Sequence, residues 1–365
     1  MGYDVAIDSQ LALVSAVRSD AKGFDSGSVD VFDLETGRKI KNLSSEDIRP
    51  EDLFGYSLAF AQQGTNNFAI VSAPYTDHEA KLDSGVVYVF DLESGEAVRT
   101  LVPQQSQAGD LFGYDVAVSG NRAFISAAYR DAKGTDSGLV YVFDWTTGEQ
   151  LDTLSPSDHQ AGDVLGYSLA VSGNNVLVGS AYHDAQGLDS GAVYLFDGTT
   201  GKQLAKLTPD DAQAGDVFGS RIESNSRYAL ISAIYSDPKG VDSGAVYLFD
   251  LSTGEQVRKF IADDGGAGDL FGHGLSMNNQ FVLIGSAYDD EGGSKVDLGA
   301  AYLFDLATGQ QLEKLTAPER QSGALFGYAV AMNGNTFLIA SPYEDVRRLQ
   351  RSRFGLFIPI YALKK

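Results

Sequence analysis

The chain has 365 residues, 43% of them hydrophobic and 11% aromatic, and a formal net charge of −22. That charge argues against nucleic acid and anionic membrane surfaces as partners and favours cationic partners or divalent ions. There is no cysteine, which excludes disulfides, thiol catalysis and cysteine-ligated zinc.

The opening residues, Met1-Gly2-Tyr3-Asp4-Val5-Ala6, have neither the basic region nor the apolar run of a signal peptide. They read as a repeat entered in mid-unit, so a lost upstream segment is expected. No apolar run reaches membrane-spanning length, and no membrane insertion is expected. The repeat recurs as Asp52-Leu53-Phe54-Gly55-Tyr56, Asp110-Leu111-Phe112-Gly113-Tyr114, Asp163-Val164-Leu165-Gly166-Tyr167, Asp216-Val217-Phe218-Gly219-Ser220, Asp269-Leu270-Phe271-Gly272-His273 and Ala324-Leu325-Phe326-Gly327-Tyr328. Its glycines stand 53, 58, 53, 53, 53 and 55 residues apart, counting from Gly2. A fixed period of this length marks a solenoid, propeller or array.

Within one unit, 166–171 is small and apolar, and Ser172-Gly173-Asn174 turns the chain. Residues 176–181 form a second apolar run, and 182–191 a polar loop. Ala192-Val193-Tyr194-Leu195-Phe196-Asp197 is a third run rich in strand formers, and 202–207 alternates like a half-exposed strand. Asp33, Asp91, Asp144, Asp197, Asp250 and Asp305 each precede a glycine by four residues, which suits a short hairpin turn. The expected fold is all-β: a single domain over 1–365, a seven-bladed β-propeller of four-stranded antiparallel blades. Its repeats run approximately 1–51, 52–109, 110–162, 163–215, 216–268, 269–323 and 324–365, the last blade incomplete.

Phe-Gly at the start of the first strand, with Ser72-Ala73-Pro74 or Gly179-Ser180-Ala181 closing the second, resembles the FG-GAP repeat of integrin α-subunit propellers. The fuller phrases Ala-Gly-Asp-Leu-Phe-Gly-Tyr and Asp-Ser-Gly-x-Val-Tyr-x-Phe-Asp are most similar to its bacterial branch. The resemblance implies a binding or adhesion module, extracellular or at the cell surface, with a protein or glycan partner. It does not carry over the integrin calcium loops, because Ser119-Gly120-Asn121 and its equivalents are too short. The C-terminus departs as well. After Asp345 the Asp-Ser-Gly element is gone, Arg347, Arg348, Arg351, Arg353, Lys364 and Lys365 appear without an acid, and 355–361 suits a third strand with Pro359 at an edge.

Paired aspartates recur in the loop between the second and third strands: Asp20/Asp25, Asp77/Asp83, Asp131/Asp136, Asp184/Asp189, Asp237/Asp242 and, in an expanded loop, Asp290/Asp297. Of these, Asp131, Asp136, Asp184, Asp189, Asp237 and Asp242 are the candidate calcium ligands. The simpler reading is a turn in which aspartate accepts backbone N–H bonds, so no cofactor is required. Two residues before each pair stands Tyr75, Tyr129, Tyr182, Tyr235, Tyr288 or, by repeat, Tyr343, with Arg18 in the first unit. These residues, with the variable His78, Arg130, His183 and Asp289 and the neighbouring Thr76 and Ser236, form the expected ligand-binding face. No nucleophile elbow, phosphate loop or histidine pair is visible, and no catalytic residue is expected. A calcium-dependent or lectin-like sugar binder, or a lyase or hydrolase at the central mouth, are the alternatives. An enzyme should show one unit that breaks the pattern with a polar cluster, and only the loop 289–297 comes close.

Overall fold

The computed structural model describes residues 1–290 and 296–344, and the backbone of 360–362. Each full repeat folds into four antiparallel strands joined in simple succession. Blade five has strands Phe218–Ser224, Tyr228–Ala233, Ala245–Asp250 and Gln256–Phe260. The second and third strands are buried almost throughout, while the fourth alternates and ends on buried Phe260. The apolar runs therefore lie between blades, and the alternating run faces water on one side. Each core cluster joins two neighbouring blades: Leu195 and Leu207 of blade four pack with Phe218, Ile231 and Tyr247 of blade five.

The two most regular phrases of the sequence are halves of one joint. Val217 N–H donates to the Asp189 carbonyl and Phe218 N–H to the Ser190 carbonyl, both at 3.1 Å. The same pair of bonds links Leu53 and Phe54 to Asp25 and Ser26, and recurs at every later junction. Gly191 lies so close to Phe218 that a Cβ would fall on the Phe218 carbonyl oxygen. Gly55 sits against the preceding blade, where a Cβ would lie 2.8 Å from Val29 and 2.9 Å from Ser15. The residue before each Phe, or before Leu165 in the fourth repeat, holds a positive φ, 56° at Val217 and 51° at Val164, a strained conformation for a β-branched side chain. The hairpin turns form as their Asp-to-Gly spacing implies: Asp197 Oδ1 accepts Thr200 N–H at 2.7 Å, and Gly201 N–H reaches the Asp197 carbonyl at 2.9 Å.

The expectation of seven blades is corrected. Among the described residues there are six four-stranded blades and one small extra sheet built on the hairpin Val330–Asn333 and Thr336–Ile339. Ile360–Ala362 pairs along the edge of that hairpin. The physical reason is that the last repeat has no Asp-Ser-Gly joint and no alternating fourth run after residue 344. The small sheet packs between the sixth blade and the first. Val330 and Phe337 meet Leu283 and Leu303 on one side, and Leu338 and Ala340 meet Val5, Val14 and Phe32 on the other. Glu291 to Lys295 of the expanded loop, Asp345, the C-terminal arginines and lysines, and Pro359 lie outside the described residues.

Candidate functional site at the axial mouth

The first strand of each repeat lines the axis and encloses a central cavity of about 610 Å³. Each strand enters at the joint-loop face and places the residue after its Phe-Gly at the mouth. Tyr3, Tyr56, Tyr114 and Tyr167 form a continuous collar there, with ring centroids 5.2, 5.3 and 5.5 Å apart. Tyr328 joins Tyr3 at 5.4 Å and His273 at 4.2 Å. Ser220 supplies the seventh position and leaves a gap. A second tier stands on the first: Tyr75 on Tyr56, Tyr129 on Tyr114 and Tyr182 on Tyr167, edge-on at 6.0, 5.7 and 5.8 Å. Tyr288 stands over His273 and Tyr343 over Tyr328, at 6.1 and 6.5 Å. Tyr235, above the Ser220 gap, has no collar ring beneath it and is 39% exposed.

Below the collar, polar side chains stitch one inner strand to the next. Asp4 Oδ2 accepts Leu58 N–H at 2.7 Å, and Ser57 Oγ donates to Asp115 Oδ1 at 2.8 Å. Asp115 Oδ2 accepts Leu169 N–H at 2.6 Å, and Ser168 Oγ donates to the Gly219 carbonyl at 2.6 Å. Burial drives the Asp4 carboxyl up to about 7, with the neighbouring Asp115 adding to the effect. Burial likewise raises Asp115, raises Glu223 to about 7, and lowers His273 to about 4, so that imidazole is neutral.

The structure separates the sequence-flagged residues into three groups. Tyr75, Tyr129, Tyr182, Tyr235, Tyr288 and Tyr343 come together as the upper tier. Arg18 is exposed, and His78 is half-buried beside Glu79. The remaining variable residues are engaged by partners within the chain. Arg130 Nη1 pairs with Asp110 Oδ2 at 2.8 Å, and His183 Nδ1 with Asp163 Oδ2 at 2.9 Å. Asp289 accepts the Tyr302 hydroxyl at 2.6 Å and Lys314 Nζ at 3.0 Å. Thr76 and Ser236 are buried at the same place. In the turn that follows the second strand the tyrosine faces the axis, while the next residue points towards the joint-loop aspartate.

The paired aspartates act within their own loops. Asp131 Oδ1 accepts Asp136 N–H at 2.9 Å, Asp184 Oδ1 accepts Asp189 N–H at 2.8 Å, and Asp237 Oδ1 accepts Asp242 N–H at 2.7 Å. The second aspartate of each pair has φ between 49° and 56°, and its carbonyl receives the next blade's joint bond. Among the described residues no three histidine, aspartate or glutamate side chains gather as a metal site.

Sequence reasoning missed the collar itself and the inner-strand residues Arg221 and Glu223. The available signal was the phrase Phe218-Gly219-Ser220-Arg221-Ile222-Glu223, where every other complete copy has Tyr or His after Gly.

Six segments, 38–90, 96–143, 149–196, 202–249, 255–304 and 310–353, match the family model described as FG-GAP repeat. Together they cover most of the chain. No curated protein matches it.

Proposed function

We propose that this chain, which belongs to the FG-GAP repeat family, is a non-catalytic binding module for a protein partner, acting outside the cell or at its surface. The two-tiered aromatic mouth carries this reading. Stacked tyrosines present π-faces and hydroxyls on a rigid frame, and the carboxylates of Asp83, Asp136 and Asp189 lie near Tyr75, Tyr129 and Tyr182. A partner lysine or arginine held over such a ring gains about 0.5–2 kcal/mol, more as water is excluded. The net charge of −22 adds long-range attraction for a basic segment. Asp4 and Asp115 are occupied in holding blades together, which supports binding over acid–base chemistry. The reading requires no metal.

The test is an array of basic, acidic and neutral peptides beside a glycan array. Binding to basic peptides, reduced by combining Tyr129→Ser, Tyr182→Ser and Tyr235→Ser but not by Gln63→Ala with Thr65→Ala in a turn at the far end of blade two, is the expected result. Glycan binding lost with the same tyrosines would replace it with a lectin. Binding affected only by the far-end pair would overturn the face assignment.

A further inference from the structure

Blade five departs from its neighbours along its whole inner strand. Ser220 replaces the collar tyrosine, Arg221 stands where others have Asp, Ser, Gly or Ala, Glu223 replaces Ala or Ser, and Ser224 replaces an apolar residue. Arg221 and Glu223 are two residues apart, so they project from the same side of the strand, about 7 Å from each other. Both line the central cavity and are otherwise enclosed by protein.

Neither side chain has an ion-pair partner among the described residues, although the Arg221 guanidinium lies near the collar tyrosines Tyr3, Tyr114, Tyr167 and Tyr328. Arg221 forms no ion pair among the described residues, and its one hydrogen bond runs from Nη1 to the carbonyl of its neighbour Ser220, at 3.1 Å. Among the described residues Glu223 accepts only the adjacent Ser224 N–H, at 3.1 Å. The buried Ser224 hydroxyl has no partner among the described residues. Enclosed charges left unpaired are expensive, and a cation and an acid that do not reach each other gain nothing from their proximity. Asp4 and Asp115 feel the Arg221 charge, but each carboxylate is already engaged by the backbone N–H of a neighbouring inner strand. The guanidinium is thus the cation on offer at the upper end of the cavity.

The geometry points to a small-molecule site along this strand that takes a zwitterion. Its carboxylate would sit on Arg221, its ammonium group on Glu223, and its aliphatic chain along the inner strand between them. Arg221 offers the paired N–H donors that carboxylates prefer. The missing ring at Ser220 opens the collar directly above, and Tyr235 and Tyr288 line that opening. A chain of four methylenes is about as long as the separation of the two positions along the strand.

The test uses three probes of equal length on the full chain, by calorimetry and thermal shift: 5-aminopentanoate, pentanoate and pentylamine. The expected order has 5-aminopentanoate tightest. Arg221→Gln should weaken it at least about tenfold, the loss of a charge-assisted hydrogen-bonded pair. Glu223→Gln should reduce it to the level of pentanoate while leaving pentanoate itself unharmed. Ser220→Tyr, which restores the neighbours' ring and touches neither charge, should block entry of both, and it decides the matter if Arg221→Gln fails to fold. No binding of any probe, equal binding of pentanoate and 5-aminopentanoate, or unchanged affinity in Ser220→Tyr would overturn the site.

Discussion

Substituting alanine for Gly191 tests whether blades are held by the joint or only by their apolar faces. Gly191 has φ of 82°, and Gly215, in the facing loop, has φ of 87°. Either alanine therefore carries a left-handed backbone cost of about 1–2 kcal/mol. The difference lies in what the new methyl meets. At Gly215 nothing stands within 4 Å, whereas at Gly191 the methyl falls on the Phe218 backbone. Relief requires the two strands to separate, which breaks Val217 N–H to Asp189 and Phe218 N–H to Ser190. Two backbone bonds at about 0.5–1.5 kcal/mol each, with some loss of packing around buried Phe218, place Gly191→Ala about 2–4 kcal/mol below Gly215→Ala. Urea denaturation followed by tyrosine and tryptophan fluorescence, with hydrogen exchange at the Phe218 amide, measures the gap. Equal losses from the two substitutions would show that the joint contributes nothing beyond its backbone conformation.

Stability should decline as pH rises from about 4 to about 7. Burial raises Glu223 and Asp4 to about 7, so the folded state keeps their protons where the unfolded chain releases them. The stabilisation is full below the unfolded values and gone above the folded ones. For Glu223 it is at most about 3 kcal/mol, and Glu223→Gln should flatten the profile in denaturant titrations across that window. Turn carboxylates such as Asp197, lowered by hydrogen bonds from Thr200, act in the opposite sense and only at lower pH. Asp184→Ala should cost about 1 kcal/mol through loss of the Asp189 N–H bond, equally with calcium or chelator present. A calcium-dependent loss would mark that loop as a metal site. Ser57→Ala removes a donor to buried Asp115 and an acceptor for Val116 N–H, and should lower stability by about 1–3 kcal/mol in the same urea assay.

The strands, their order and the hairpin turns were legible because each rests on local chemistry: apolar runs, Asp-to-Gly spacing, alternation at the outer edge. The turn reading of the paired aspartates was legible for the same reason. The blade number was not, because a fixed spacing counts starting points, and Phe326-Gly327 starts a unit that lacks the residues for four strands. Nor could the sequence reveal that Asp189-Ser190-Gly191 and Val217-Phe218-Gly219 are one joint, since the bond pairs segments of adjacent units. His183 and Arg130 looked like surface variation because they differ between repeats. Their differences instead accompany different buried partners for Asp163 and Asp110. Arg221 escaped notice because a break in the pattern was sought in the loops, and it lay in a strand.

The matched segments have a frame that differs from the blades. The segment 202–249 begins at the outer strand of blade four and ends at the third strand of blade five. Its boundary falls in the turn 197–202, far from any joint, so each unit contains a whole joint and leaves only a hairpin to be closed. New chain ends cut at Thr199–Thr200, after connecting the native ends, would therefore preserve every joint and divide one blade three strands to one. The outer strand would then be recovered by pairing Gln203–Leu207 with Val193–Phe196, as in the uncut chain. A ring assembled from such units can gain or lose one without redesigning an interface, because the interface travels inside the unit.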